Sequence, residues 1–486
     1  MKRFLIVLTV TCYLLNGSSV FAEAKKQLVR FEGLTRSQIF EIGARGFDVA
    51  KAGPDFVEVV VSEEELKLLP ATKSPPKIII HDINGYVAGI LANQRVGAEY
   101  YNYDRLTSTL NNWAQQYSSI ARLCSIGKTF EGRDILAMEV TENPDANQPK
   151  PAALIDGAHH SREWISMEVA MEALKEILEG YGKDQNLTRL VKERKIWFVP
   201  LVNPDGLVYN QTKDGFWRKN RRPIDGTHFG VDLNRNYGYQ WGGLGASTDP
   251  SADTFRGSGP FSEAETLAIK GLAEREHFQV SVSFHSYSEL ILYPFGYAKG
   301  VSCPGDPTFK SLAQGMSQFN HYAPMKSAEL YPASGDSDDW LYGTQKTFAV
   351  TVEIGTLYIP PADQIADICK INVPAVFYAI DKAGSYALTT PGSTFSPNSY
   401  RDPQTGLEAI IDGMHLIKDL PEDLQLETND RLRSVGVRLS EIAAEEILQG
   451  NKVTWNFIQN TPEASFVMPL VQNRLSFSKV HGEKSN

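Results

Sequence analysis

Between Tyr100 and Leu388, strand-length apolar segments alternate with helix-length amphipathic ones. "AALIDGAHH" reads as a buried strand and "ISMEVAMEALKEILEGYG" as the helix behind it. Ile165, Val169, Leu174, Ile177 and Leu178 recur near the helical period, and Gly180 and Gly182 suit the helix end. "KIWFVPLVNPDG" is a strand running into a turn. "SEAETLAIKGLAEREH" is a helix, with Ser262 and Glu265 spaced for a capping box. "FQVSVSFHSYS" and "TFAVTVEIG" are two further strands. Strands interleaved with helices predict an α/β domain with a mixed, mostly parallel central sheet and helices on both faces. Ligands of such sheets sit beyond the C-terminal strand ends. His160, His285 and Glu353 all fall at the ends of these strands.

The flanks differ. Residues 1–22 start with Lys2 and Arg3, followed by an apolar run from Phe4 to Leu15 that is too short to span a bilayer comfortably. Val20 and Ala22 fit a small-residue cleavage site before Glu23, so a signal peptide is favoured over a membrane anchor. The mature protein is expected to be secreted, extracellular or periplasmic, and monomeric, with no membrane association after signal removal. In residues 23–97, "LVRFEG", "SQIFEIGARG", "FVEVVVSEEELKLLPA" and "PPKIIIHDIN" predict a small α+β module. It is either a prosegment or a permanent N-terminal domain. Residues 98–388 form the α/β domain. Beyond "ALTTPGSTFSPNSY", a Thr/Pro/Gly/Ser-rich linker, residues 389–486 predict a C-terminal appendage with no motif tied to chemistry.

A net charge of -10 argues against a general nucleic-acid partner. Cys124, Cys303 and Cys369 remain after Cys12 is removed with the signal, which leaves an odd count and favours buried thiols over a disulfide framework. Asn186 and Asn210 stand in N-x-T sequons.

In "DGAHHSREW", His160 and Glu163 are three residues apart, whereas His159 has Arg162 at that offset. A turn can bring His160 and Glu163 together, and His285 is the candidate third ligand. Two histidines and one carboxylate leave a metal such as zinc an open position for water. Asp232 is a candidate acceptor for the far side of a ligand histidine. Glu353, between Val352 and Ile354, is the candidate general base. Arg218 in "FWRKNRR", and Asn234 and Arg235 in "VDLNRNY", suit a substrate that carries a carboxylate.

"HSRE", "NPDG", "WRKNR", "DLNRNY", "HSYSELILYPFGY", "LYPASGDSDDW" and "VEIG" follow one another in the order seen in zinc metallocarboxypeptidases of the pancreatic A/B type. The chain resembles that family over roughly residues 98–388. The resemblance implies one zinc ion on His160, Glu163 and His285, with His159 a neighbour. It implies Arg218 polarising the scissile carbonyl and stabilising the oxyanion. It implies Asn234, Arg235 and Tyr331 gripping the terminal carboxylate of a peptide or protein substrate. Glu353 would act as base toward the attacking water and then as acid to the leaving amine.

Asp338 matches the family position at the base of the specificity pocket, and an acid there resembles the B-type enzymes, which remove C-terminal Arg or Lys. Asp339 matches an aspartate that both types share. Asp336 stands where the family usually has glycine, and Lys326 is placed where it could pair with Asp338. The loop "IGTLYIPP" is shorter than in the pancreatic enzymes. By position, residues 23–97 resemble an inhibitory prosegment, with Arg95 a candidate activation cut. The alternatives are action on hydrophobic C-termini or cell-wall peptides with the same zinc site, and a non-catalytic peptide-binding protein.

Overall fold

The computed structural model describes residues 25–69, 75–93, 100–146, 149–301 and 303–386. The chain divides into Met1–Leu388 and Thr389–Asn486. The signal segment, the candidate cut at Arg95 and the C-terminal appendage lie outside the described residues.

The first elements are β1 (Gln27–Glu32), α1 (Arg36–Ala44), β2 (Asp48–Ala52), β3 (Phe56–Val61), α2 (Glu63–Leu66), β4 (Lys77–Ile80) and α3 (Ile83–Asn93). They build a four-stranded antiparallel sheet of order β2-β3-β1-β4. Capping boxes open its first two helices, Thr35 with Gln38 at α1 and Ser62 with Glu65 at α2. Val29, Phe31, Ile39, Ile42, Val57 and Val59 pack into the module's own core.

The elements that follow are α4 (Tyr103–Gln116), β5 (Ala121–Lys128), β6 (Asp134–Val140), β7 (Ala152–Gly157), α5 (Trp164–Gly180), α6 (Gln185–Glu193), β8 (Lys195–Val199) and α7 (Pro204–Thr212). Then come α8 (Ala264–Glu276), β9 (Val280–His285), β10 (Leu290–Tyr293), α9 (Asp306–Asn320), β11 (Ala323–Lys326), α10 (Ser327–Leu330), α11 (Ser337–Gln345), β12 (Phe348–Glu353) and α12 (Ile365–Lys382). Their strands form an eight-stranded mixed sheet of order β11-β10-β12-β9-β7-β8-β6-β5. Its centre, β12-β9-β7-β8, is parallel.

The two-residue period of the strands divides the interior. Ala153 and Ile155 of β7, with Ile196 and Phe198 of β8, join the core under α5, α9 and α12. Ala152 and Leu154, with Trp197 and Val199, join a second core under α8 and α11. β7 and β8 are thus apolar on both sides, as a parallel sheet covered by helices favours, whereas β9 sets Val280, Val282 and Phe284 on one face and the buried Ser281 and Ser283 on the other.

Two local expectations change. Ser262 and Glu265 make no capping box: Glu263 caps α8 without a side-chain bond, and Glu265 instead accepts from the Asn220 amide at 3.1 Å. A tertiary partner outcompetes the local one. The turn after β8 continues into α7, where Asn203 accepts from Gly206 N at 3.0 Å and Pro204 takes the first helical turn. Among the described residues no helix is long and apolar enough to cross a membrane.

Candidate metal centre and substrate cleft

The parallel register of β7, β9 and β12 brings three strand ends to one edge. Glu353 pairs with His285 across β12 and β9, and Gly157 of β7 pairs with Phe284. The chain leaves β7 through a tight turn. Ala158 takes a positive φ of 56°, and a Cβ on Gly157 would lie 2.9 Å from the Ser166 carbonyl. That close approach places His160 over the sheet edge and Glu163 at the head of α5, where its carboxylate is not used as a cap.

His160 Nδ1 lies 2.8 Å from Glu163 Oε1 and 3.0 Å from His285 Nδ1, and His285 Nδ1 lies 3.0 Å from Glu163 Oε2. All three side chains are buried. Two imidazole nitrogens and a carboxylate converging on one point cannot all be satisfied by a proton, whereas a single cation satisfies them. Among the described residues this is the group of acid and imidazole side chains spaced to hold a metal. The donor set fits zinc with an open position. Burial pushes the Glu163 carboxyl up, but the two imidazoles pull it well below its ordinary range. On the outer side His160 Nε2 faces Asp232 Oδ1 at 3.2 Å, a carboxylate that fixes the ring. His159 is not one of the converging groups: its ring stacks on His285, with centroids 5.5 Å apart, and its Nε2 lies 2.8 Å from the Tyr237 hydroxyl.

Arg218 is held by Asp232, with Nε and Nη2 donating to Oδ2 at 3.1 and 2.9 Å. Its Nη1 lies 3.7 Å from Glu163 Oε1. Asn234 accepts from Ser337 N at 2.9 Å, and Arg235 donates to the Gly245 and Asn234 carbonyls. Arg218, Asn234, Arg235, Tyr331, Asp338 and Glu353 line one cavity with the triad. Burial and the nearby Glu163 raise Glu353 to about 8, against the pull of Arg218 and Arg235. Burial and Glu353 push the Tyr331 hydroxyl to about 12.

The pairing considered for Lys326 does not form. Its Nζ bonds Asp306 at 2.7 Å, leaving Asp338 without that neutralising cation. Asp339 accepts from Gly296 N and Tyr297 N at 2.8 and 2.9 Å, a structural role. Of the sequon residues, Asn186 is exposed and Asn210 is buried, bonded to Trp164 and to the Trp217 carbonyl. Cys303 and Cys369 are buried, Cys124 is half-buried, and all three are free.

The N-terminal module closes over this cavity, through contact residues that sequence reasoning did not identify. Val49 and Ala50 line it, leaving about 60 Å³ of space, room for a few waters and not for a peptide. Asp48 forms a two-pronged ion pair with the fully buried Arg162, at 2.7 Å for each oxygen. Its Oδ1 also lies 3.9 Å from Arg218 Nη1. The Arg162 guanidinium also packs against the Phe216 and Tyr358 rings, 4.4 Å from each centroid. Glu58 accepts from the Tyr287 hydroxyl at 2.7 Å. Asp48 and Arg162 are 114 residues apart, and no local pattern connects them.

Residues 106–375 match the family model described as zinc carboxypeptidase. The chain belongs to the zinc carboxypeptidase family. The family's members are metallocarboxypeptidases, hydrolases that use one zinc ion, and the His160–Glu163–His285 triad is where this chain could hold it. Relatives of this carboxypeptidase include the zinc carboxypeptidase of Saccharothrix mutabilis subsp. capreolus, 33% identical over 271 residues, which covers 52% of this chain and 62% of that one. Human carboxypeptidase B is 30% identical over 352 residues, covering 68% of this chain and 80% of that one. The fold is shared with carboxypeptidase A from Helicoverpa armigera, with a TM-score of 0.67 at 20% identity, covering 75% of this chain and 99% of that one.

Proposed function

We propose that this protein is a secreted metallocarboxypeptidase that removes C-terminal Arg or Lys from peptides and is made as a zymogen. The observation that carries the basic preference is Asp338: it lines the cavity, is 3% exposed, and has a buried Oδ1 without a hydrogen-bond partner among the described residues. A buried carboxylate oxygen left unpaired is costly, and a cationic substrate side chain relieves that cost.

Zinc in the triad supplies a Lewis acid that polarises a carbonyl and lowers the pKa of water. The chain's own residues do the rest. Asn234, Arg235 and Tyr331 anchor the terminal carboxylate, so that positioning selects the last peptide bond. Glu353 takes a proton from the attacking water and returns it to the leaving amine. Arg218, locked by Asp232, presents a fixed positive charge where negative charge develops on the scissile oxygen.

Comparing the wild type with Asp338→Asn on matched substrates ending in Arg, Lys, Phe and Leu tests the preference. The wild type is expected to favour Arg and Lys, and the variant to lose about 10- to 100-fold on them, as removal of a charged hydrogen-bond partner predicts. A wild type that prefers Phe or Leu keeps the peptidase and sinks the basic reading.

The zymogen reading is supported by Val49 and Ala50 in the cavity and by Asp48 on Arg162. Breaking a buried pair costs about 3–5 kcal/mol. Uncut Asp48→Asn is therefore expected to be at least about tenfold more active than uncut wild type. Equal activity of the two would remove Asp48 from the inhibitory contact.

A further inference from the structure

We propose that Asp336 is a second specificity residue: with Asp338 it forms a paired acidic floor that selects the guanidinium of a C-terminal arginine over the ammonium of lysine. This rests on the basic preference argued above and deepens it.

Asp336 and Asp338 are 7% and 3% exposed, and both line the cavity that holds the metal triad. Asp336 has an evident local task. It is the N-cap of α11, and its Oδ1 accepts from Asp339 N at 2.7 Å. Capping needs only a polar oxygen, which asparagine or serine supplies equally well. The negative charge exceeds what the cap requires. The second oxygen is accommodated with care: a Cβ on Gly296 would stand 2.6 Å from Asp336 Oδ2. Any residue larger than glycine there would displace it.

The charges around the pair are mostly of one sign. Asp336, Asp156 and Glu353 all act on Asp338 with negative charge, and Thr351 offers it a hydrogen bond. Arg235 is the cation that acts on Asp336. Lys326 is held by Asp306. Burial raises both acids, Asp336 to about 6 and Asp338 well above the ordinary range, where Asp336 adds to the shift. Two buried carboxylates in one pocket are stabilised by a shared proton or by a cation that bridges them. A guanidinium has five N–H donors in a planar fork and can bond two carboxylates at once, whereas an ammonium is a compact point charge.

The test uses the zinc-loaded full chain activated by limited proteolysis, as wild type, Asp336→Asn and Asp338→Asn. The substrates differ only in a C-terminal Arg, Lys or Phe, and kcat/KM is read for each. Asp336→Asn keeps the cap and removes the charge. Its Arg/Lys and Arg/Phe ratios are expected to fall by about tenfold or more, the loss of one charged hydrogen bond. Asp338→Asn is expected to lose the preference for both basic residues. If Asp336→Asn does not fold, Asp336→Ser carries the same expectation, with the melting temperature as the check on folding. Wild-type Arg/Lys and Arg/Phe ratios in a folded Asp336 variant, beside a lost basic preference in Asp338→Asn, would reduce Asp336 to a cap and overturn the proposal. A wild type that prefers Phe would instead overturn the basic reading beneath it.

Discussion

Glu353→Gln is expected to lower kcat about 100- to 10,000-fold, the range for removal of a positioned general base. Glutamine fills the same space and cannot accept the proton. Glu353 lies at the end of β12 beside His285 and is not one of the three triad residues, so the substitution is expected to leave the triad in place. Zinc content and KM should therefore change little. The pH profile adds a second readout. Burial and Glu163 raise Glu353 to about 8, and the charge of a bound zinc pulls it lower. Activity needs the carboxylate, so kcat/KM rises with pH through this pKa, on a limb that lies below about 8 and disappears in the variant. Full hydrolysis by Glu353→Gln would end this mechanism.

Arg218→Met is expected to cost about 100- to 1,000-fold in kcat, with a smaller effect on KM. Two bonds to Asp232 fix the guanidinium before any substrate arrives, and its Nη1 points toward Glu163. Charge held in advance needs no reorganisation during the reaction, which is why its loss falls on kcat. Methionine keeps much of the side-chain length and removes the charge. A raised KM with unchanged kcat would make Arg218 a ground-state binding residue instead. Because Asp232 also faces His160, zinc affinity should be measured in parallel.

The parts of the site on parallel strands were readable in the sequence for a physical reason. A doubly covered strand is a continuous apolar run, and a polar residue at its end stands out. Glu353 closes such a run and His160 follows one, whereas His285 ends a strand that alternates Val280, Val282 and Phe284 with Ser281 and Ser283. The antiparallel strand β5 escaped because it stands at the sheet edge with only Ala121 buried, which leaves no continuous apolar run to read. The box expected at Ser262 and Glu265 failed because Asn220, far away in sequence, offered Glu265 a buried partner. The start of α7 was available in Asn203 and Pro204, a cap followed by a helix-opening proline, inside a segment read only as a turn. Asp48 and Arg162 were beyond reach. An ion pair between a module and the domain it covers depends on tertiary docking, which neither segment's periodicity encodes.

The most direct test of the account is mass spectrometry of a peptide ending in arginine, incubated with the proteolytically activated chain. Samples are compared without chelator, with chelator, and after zinc is restored. The account predicts loss of one C-terminal arginine, its arrest by the chelator and its return with zinc. Internal cleavage, or arginine loss that ignores the chelator, would contradict it.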